Sequence, residues 1–317
     1  MNPRINPRIN LRINLARHVR GLGWASLVAN VGIVVTGGAV RLTGSGLGCP
    51  TWPRCTDESF RPHGELDLHQ AIEFGNRMLT FVLTAIALAT FVAAVQSGRP
   101  HLKRLALVLA LGIPAQAVIG GITVLTGLNP WIVGFHLLVS MAMVGVAVLF
   151  LRRIDHPDAV WVRGGPLPAL AWSLLASAWL VLGIGVVVTG AGPHAGDLDT
   201  PRNGLDTVEI SQLHADAVFL FIGLTLGTLF AVWAACGRGT AFRAVVVLLA
   251  VQASQSAIGF VQYFTGLPEI LVGFHMLGAG LISAAVTWVV LEIVLPARQD
   301  EGEGRAAAYG AVSGARG

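Results

Sequence analysis

The sequence predicts an all-α integral membrane protein whose eight transmembrane helices form two parallel-repeat four-helix bundles. Hydrophobic residues make up 54% of the 317 residues and charged residues only 12%, and the mean hydropathy is +0.69. This balance is too apolar for an ordinary soluble protein. Eight apolar runs are long enough to cross a bilayer, which takes roughly 20 residues each. Part of the chain also repeats itself, which assigns four helices to each half.

Each apolar run is expected to be a helix, because backbone polar groups in lipid must be satisfied within the segment unless a barrel closes. In chain order the helices are expected near residues 21–40, 70–95, 105–125, 131–151, 167–189, 207–234, 244–264 and 270–294. The even number of helices places both termini on the same side of the membrane.

The basic residues predict the orientation, because Lys and Arg are retained on the cytoplasmic side near the ends of the spans. With both termini inside, most of the 21 Lys and Arg residues are cytoplasmic, and the outer loops carry acidic residues instead. The expected location is therefore the cell (plasma) membrane, with multiple passes and both termini cytoplasmic. The net charge of +4 reflects this bias, so no nucleic-acid partner is expected and the lipid bilayer is the surrounding medium.

An internal repeat divides the chain. The segment AQAVIGGITVLTGLNPWIVGFHLL at residues 115–138 aligns without a gap with SQSAIGFVQYFTGLPEILVGFHML at residues 254–277, which lies 139 positions later. The tetrapeptide VVTG occurs at residues 34–37 and again at 187–190. Both halves begin on the same side of the membrane, so the repeats are parallel.

The repeat predicts four segments. They are a cytoplasmic N-terminal tail (1–20), an N-terminal four-helix bundle (21–155), a C-terminal four-helix bundle (156–295) and a disordered cytoplasmic tail (296–317).

Three histidines lie at similar depths in the predicted helices. His136 and His275 end the two copies of VGFH, and His214 lies on the sixth helix. An ionisable side chain in a membrane is costly and is a functional candidate by default, although helix-to-helix hydrogen bonding is an alternative. A zinc site is disfavoured because zinc takes three or four clustered ligands. Two imidazoles facing each other across a four-helix bundle are instead typical of heme. His214 and His275 are the predicted axial ligands of a heme b, and His136 belongs to a second porphyrin site.

The second helix departs from this symmetry. His69, Glu73 and Asn76 share one helical face, and the position that corresponds to His214 is Asn76. His69 lies two turns, or about 10 Å, farther out along the helix, and whether it replaces the missing histidine is open. The first site is therefore expected to have one ligand or weak ligation, which suits a substrate better than a permanent cofactor.

These residues resemble the heme A synthase family. The resemblance spans about residues 20–295 and rests on GGAVRLTGSGLGCPTWPRC after the first helix, EFGNR on the second, and the histidines of helices four, six and eight. Members are eight-helix membrane oxidoreductases that oxidise the C8 methyl group of heme O to the formyl group of heme A for cytochrome c oxidase. The resemblance implies heme b on His214 and His275, and substrate heme O near His136 and Glu73. It also implies a heme O synthase and an electron-transfer partner, and the oligomeric state stays open.

Glu73 is the catalytic candidate that the resemblance implies, since burial near the outer mouth would perturb its pKa and suit it to proton transfer. The family carries a Glu, a His three residues later and then an Arg on this helix. This chain has Glu73, Asn76 and Arg77, so the His is replaced. An alternative role for Glu73 is an ion pair with Arg77 one turn later. Arg77 alternatively binds a heme propionate.

Cys49 and Cys55 are expected to form a disulfide, because they lie in the first outer loop on the oxidising side. The loop would be stapled by the bond or would have a redox or gating role. A metal pair with the nearby His63 is less favoured.

The main alternative function is a diheme b-type membrane electron-transfer protein, acting on quinol or resembling cytochrome b561. It would hold two permanent hemes. A transporter is the third hypothesis, suggested by the repeat, but the predicted inner halves of the helices offer no continuous polar path.

Overall fold

The computed structural model describes residues 14–62, 67–197 and 199–297. Most of the predicted tails, and His63, lie outside the described residues. Within the described part of the chain, eight helices are long and apolar enough to cross a membrane. This confirms the expected all-α, eight-helix, multi-pass membrane protein.

The helices extend slightly beyond the apolar runs. Their bounds are α1 Val19–Leu42, α2 Leu68–Gln96, α3 Pro100–Leu125, α4 Pro130–Asp155, α5 Pro166–Ala191, α6 Thr207–Cys236, α7 Thr240–Phe264 and α8 Glu269–Val294. Proline begins α3 and α5, as expected for a residue that lacks the N–H group left unbonded in the first turn. At the start of α6 the Asp206 carboxylate accepts from the Val208 and Glu209 amides at 2.8 and 3.0 Å, which caps the helix.

The chain forms two compact units. The first unit contains the described residues up to Leu151 together with the segment His194–Pro201, and the second contains Arg152–Pro193 and the described residues from Arg202 onward. The segment from His194 joins the first unit through backbone contacts. The Gly196 carbonyl accepts from the Gly46 amide at 2.8 Å, and the His194 carbonyl accepts from Arg41 Nε at 2.6 Å.

The first unit packs its helices in chain order. Leu83 and Ala87 of α2 are buried against Ile113 of α3, and Ile33 of α1 packs on this cluster. The close approach of α1 and α4 depends on Gly23, because a Cβ there would lie 2.9 Å from Leu151 Cδ2. The helices thus approach closely through small residues, as is typical in membranes.

The second unit is a four-helix bundle of α5 to α8 around one apolar core. Leu174, Leu248, Val286 and Phe221 are among its buried residues, one from each helix. Side chains that reach a neighbouring helix in this way account for the packing of the bundle.

The second unit also contains a buried ion pair that was not predicted from the sequence. Arg152 Nη1 lies 2.7 Å from Glu292 Oε1, and both side chains are 7% exposed. The Glu292 carboxylate also accepts from Trp288 Nε1 at 2.9 Å and from the Thr240 hydroxyl at 3.0 Å. Arg152 donates to the Leu295 carbonyl as well. A buried charge pair of this kind needs such additional hydrogen bonds to offset its desolvation.

The internal repeat extends to backbone conformation. Leu128 and Leu267, which occupy equivalent repeat positions, have positive φ angles of 58° and 59°, a conformation uncommon for residues other than glycine. Their amides donate to the carbonyls of Thr123 and Gln262 at 2.8 and 2.7 Å, which are again equivalent residues. The same turn therefore leads into α4 and into α8, and it sets the start of the helix that carries each VGFH histidine.

Candidate functional site

In the second unit, His214 of α6 and His275 of α8 face each other. Their ring centroids are 6.4 Å apart and the ring planes are inclined at 69°. Both side chains are half-buried, and both Nδ1 atoms are buried with no hydrogen-bond partner among the described residues. A buried polar atom without a partner costs roughly 1–3 kcal/mol, so this arrangement is expensive for the protein alone.

Glycines on the two remaining helices make room for these rings. A Cβ on Gly185 of α5 would lie 2.9 Å from His214 Cε1, and a Cβ on Gly259 of α7 would lie 3.5 Å from His275 Cε1. Each imidazole is thus seated against the backbone of a neighbouring helix. A side chain at Gly185 would displace the His214 ring.

The pair fits a metal held between two imidazoles. Two nitrogens that each bond one metal ion at about 2 Å place the ring centroids roughly 6 Å apart, close to the 6.4 Å observed. No group of three or more His, Cys, Asp or Glu among the described residues could hold a metal ion by itself. A pair of imidazole donors is the protein's usual contribution to a metal whose other ligands come from a macrocycle, as in heme.

In the first unit, His136 of α4 occupies the equivalent setting. A Cβ on Gly120 of α3 would lie 3.4 Å from His136 Cε1, and the His136 Nδ1 atom is buried without a partner in the described part of the chain. Gln116 donates to the His136 carbonyl at 3.1 Å and also to the Ser140 hydroxyl. These bonds join α3 to α4 at the level of the imidazole.

Asn76 of α2 stands where the second unit has His214. Its Oδ1 atom accepts from the Thr36 hydroxyl of α1 at 2.8 Å. Gly32, the α1 residue that corresponds to Gly185, has nothing within 4 Å of a Cβ built on it. The first unit thus lacks the imidazole that faces α5 in the second.

His69 lies at the start of α2 and is exposed. Its Nδ1 atom is 3.0 Å from the Ser45 hydroxyl in the loop between α1 and α2. The backbone beside it packs on the same loop, because a Cβ on Gly48 would lie 2.7 Å from the His69 carbonyl oxygen. His69 is therefore engaged in attaching the loop to α2.

Glu73 and Arg77 hold the loop that the disulfide closes. The predicted Cys49–Cys55 disulfide is confirmed, with an S–S distance of 2.06 Å, and both cysteines are buried. The Glu73 carboxylate, which is also buried, accepts from the Cys49 amide through Oε2. Its Oε1 atom accepts from Arg77 Nη2 at 2.6 Å and from Nε at 3.1 Å.

The other Arg77 donors reach the same loop. Nη1 donates to the carbonyls of Thr51 and Arg54 at 3.1 and 3.2 Å, and Nη2 donates to the Cys49 carbonyl at 2.9 Å. A guanidinium has five N–H donors, and these bonds use all five. In this conformation Arg77 has no donor left for a heme propionate, and each Glu73 oxygen accepts at least one hydrogen bond.

The disulfide loop also places Trp52 against α3. A Cβ on Gly121 would overlap the Trp52 indole at Cδ2, so the ring lies directly on the backbone there. The adjacent residue, Gly120, contacts His136. The loop therefore packs next to the helix segment that seats this histidine.

Comparisons with known proteins identify the family. Residues 20–196, more than half of the chain, match the model of the COX15-CtaA family, cytochrome oxidase assembly protein. The chain belongs to this family.

Curated relatives of this chain carry the name heme A synthase. The protein from Listeria monocytogenes is 26% identical over 281 residues, which is 82% of this chain and 90% of the relative. The protein from Staphylococcus epidermidis is 23% identical over 305 residues, or 89% of this chain and 99% of the relative. The protein from Lysinibacillus sphaericus is 33% identical over 152 residues, which is 44% of this chain and 48% of the relative. These matches confirm the resemblance to the heme A synthase family.

Sequence reasoning missed the glycines and the tryptophan of these sites. Gly120 and Gly259 occupy the same position of the aligned repeat, so the alignment that identified the two VGFH histidines could also have indicated the glycines beside them. Gly185 lies two residues before the second VVTG. The position of Trp52 carries no comparable signal, because an aromatic residue in a loop predicts no particular contact.

Proposed function

We propose that the protein is a heme A synthase, which oxidises the C8 methyl group of heme O to the formyl group of heme A for cytochrome c oxidase. Membership of the cytochrome oxidase assembly family supports this function, as do the relatives named heme A synthase. The observation that carries the proposal is the unlike pair of histidine sites. One unit has two imidazoles 6.4 Å apart, and the other has His136 together with Asn76 at the position equivalent to His214.

The resident cofactor in this proposal is a heme b held by His214 and His275. When bound, the heme supplies a redox centre that accepts and passes on single electrons. The protein contributes the two imidazoles, which Gly185 and Gly259 allow to sit close to the helix backbones.

The substrate heme O binds in the first unit beside His136. A single imidazole, with Asn76 in place of the second histidine, would hold heme less firmly than a pair, which suits a molecule that must enter and leave. Glu73 is the proposed acid/base residue, which would take or give a proton at its carboxylate. Among the described residues its Oε2 atom accepts only from the Cys49 amide, so one acceptor site on this oxygen remains for a proton. The bonds to Arg77 and the Cys49 amide give Glu73 a second task, because they position the disulfide loop.

The cellular setting follows from the charge pattern. The bias of the basic residues supports cytoplasmic termini and a Cys49–Cys55 loop on the outer side of the cell membrane, where a disulfide persists. A heme O synthase would supply the substrate, and a membrane electron-transfer partner would exchange electrons with the protein.

A diheme electron carrier is the competing function. It requires two permanently held hemes, whereas the first unit offers one buried imidazole where the second unit offers two. The heme content of the purified chain separates the two functions, because a carrier would retain two hemes per chain when no heme O is supplied.

The test is to express the protein together with a heme O synthase and to identify the extracted hemes by reverse-phase chromatography and mass spectrometry. Heme A or its hydroxymethyl precursor is expected with the wild-type chain and is expected to be lost in His136→Ala. Glu73→Gln removes the charge and is expected to lower the yield at least tenfold. If only heme B and heme O are recovered while a reducible heme stays bound, the proposal is wrong.

A further inference from the structure

The two units differ in the space beside two equivalent glycines, Gly185 and Gly32. In the second unit a Cβ on Gly185 would lie 2.9 Å from His214, so the imidazole fills the space beside α5. In the first unit the equivalent Gly32 has no heavy atom within 4 Å of its Cβ position. Asn76, which replaces the histidine, is shorter than an imidazole and turns toward Thr36 instead. On the equivalence of Gly32 with Gly185, the side of the first site that faces α1 is open.

The hydrogen bond from Thr36 determines which atoms of the Asn76 side-chain amide stay free to bind a ligand. Because the Thr36 hydroxyl occupies Oδ1 at 2.8 Å, the two N–H donors of the side-chain amide stay available. The Thr36 hydroxyl also lies 3.2 Å from the Ile33 carbonyl of its own helix, which fixes its position on α1. Among the described residues no hydrogen bond is made by Asn76 Nδ2.

We propose that a heme bound to His136 keeps one iron face free of protein ligands, and that this face, beside Gly32 and Asn76, binds a small exogenous ligand. The ligand class is a neutral diatomic gas or a small anion, which fits the space of the missing imidazole and accepts a hydrogen bond from the Asn76 amide. The inference rests on the proposed function insofar as heme must occupy the first unit. It does not depend on whether that heme is oxidised.

His69 is the residue that would exclude this site if it were the second ligand. It lies two turns from Asn76, about 10 Å along the helix axis. Its Nδ1 atom is engaged by Ser45, and its side chain is exposed at the start of α2. Loop and helix would have to separate before this imidazole reached the level of Asn76.

Carbon monoxide is the probe, because it binds ferrous heme only where an iron face is free. The full-length chain is purified after expression with a heme O synthase, its hemes are quantified, and carbon monoxide difference spectra of the reduced protein are titrated. We expect one carbon monoxide per heme in the first unit and none at the His214–His275 site. Asn76→His restores the second imidazole and is expected to weaken carbon monoxide binding at least tenfold. Gly32→Leu fills the space from α1 and is expected to weaken it similarly.

The second unit provides the matched control. His214→Asn reproduces the first-unit arrangement, so it is expected to create carbon monoxide binding where the wild type has none. A first-unit heme that is present but silent toward carbon monoxide would overturn the inference, particularly if His69→Ala then made it reactive. Unchanged binding in both Asn76→His and Gly32→Leu would overturn it too. Failure of the proposed function would look different, because heme A would be absent while carbon monoxide still bound.

Discussion

Removal of Arg77 should release the disulfide loop. In Arg77→Met, the Glu73 carboxylate, whose side chain is 7% exposed, loses its cation, and the carbonyls of Cys49, Thr51 and Arg54 lose their donor. Breaking one partner out of a buried ion pair costs about 3–5 kcal/mol. Since each 1.4 kcal/mol is a factor of ten in an equilibrium, loop opening should become roughly 100-fold more populated or more.

The disulfide itself reports this opening. Cys49 and Cys55 are 0% and 1% exposed, so reductant reaches them only when the loop opens locally. The assay measures the rate at which dithiothreitol, followed by a maleimide reagent, modifies the two cysteines in the full-length protein. Arg54→Met is the matched control, because Arg54 is an exposed arginine of the same loop and only its carbonyl is used by Arg77.

The expected result is a rate increase of about 100-fold in Arg77→Met and less than threefold in Arg54→Met. Glu73→Gln should lie between them, because the amide keeps an acceptor but loses the charge. Equal rates of cysteine modification in wild type and Arg77→Met would refute the role of Arg77 and Glu73 in holding the disulfide loop.

Two further predictions concern the second unit. Gly185→Val should displace the His214 ring and weaken heme binding by about 1–3 kcal/mol, the usual cost of overpacking, whereas Gly183→Val, where a Cβ has open space, should not. The measurement is the amount of heme per chain by the pyridine hemochrome assay. Equal heme content in the two variants would contradict the contact between His214 and Gly185. Arg152→Met should leave Glu292 buried and unpaired, destabilising the unit by about 3–5 kcal/mol and lowering Tm by roughly 6–20 °C at about 2–4 °C per kcal/mol. A double variant with both residues replaced by Met should recover most of the loss in detergent thermal melts, and no recovery would argue against a simple charge-burial cost.

Helix number and order were readable from the sequence, because lipid admits few alternatives to a long apolar helix. The runs that contain VGFH, for example, became α4 and α8. The helix ends were less predictable. The α3 helix begins at Pro100, five residues before the apolar run, because capping and packing rather than hydropathy determine where a helix starts.

The relation between side chains on different helices was harder to read. The i, i+4 spacing of Glu73 and Arg77 predicts an ion pair on one helix. It does not predict that the pair would bind the backbone of a distant loop, because that contact depends on how Cys49 is brought over α2. The Arg152–Glu292 pair joins residues 140 positions apart, and no local pattern indicates such a contact.

The replacement of a histidine by Asn76 was visible from the repeat, yet its consequence was not. Sequence alone left His69 as a candidate substitute, since both residues share a helical face. The position of His69 beside Ser45 and the open space at Gly32 are properties of packing, which the spacing of residues does not encode.

The central claim is that the two units hold different hemes, a resident heme b on His214 and His275 and a substrate heme on His136. The direct measurement is the heme composition of purified, monodisperse full-length protein, made with a heme O synthase, for wild type, His275→Ala and His136→Ala. His275→Ala is expected to lose heme B but keep heme O or its oxidised product, and His136→Ala is expected to show the reverse. If either variant retained both hemes at wild-type levels, or if the same heme disappeared from both, the assignment of the two sites would be contradicted.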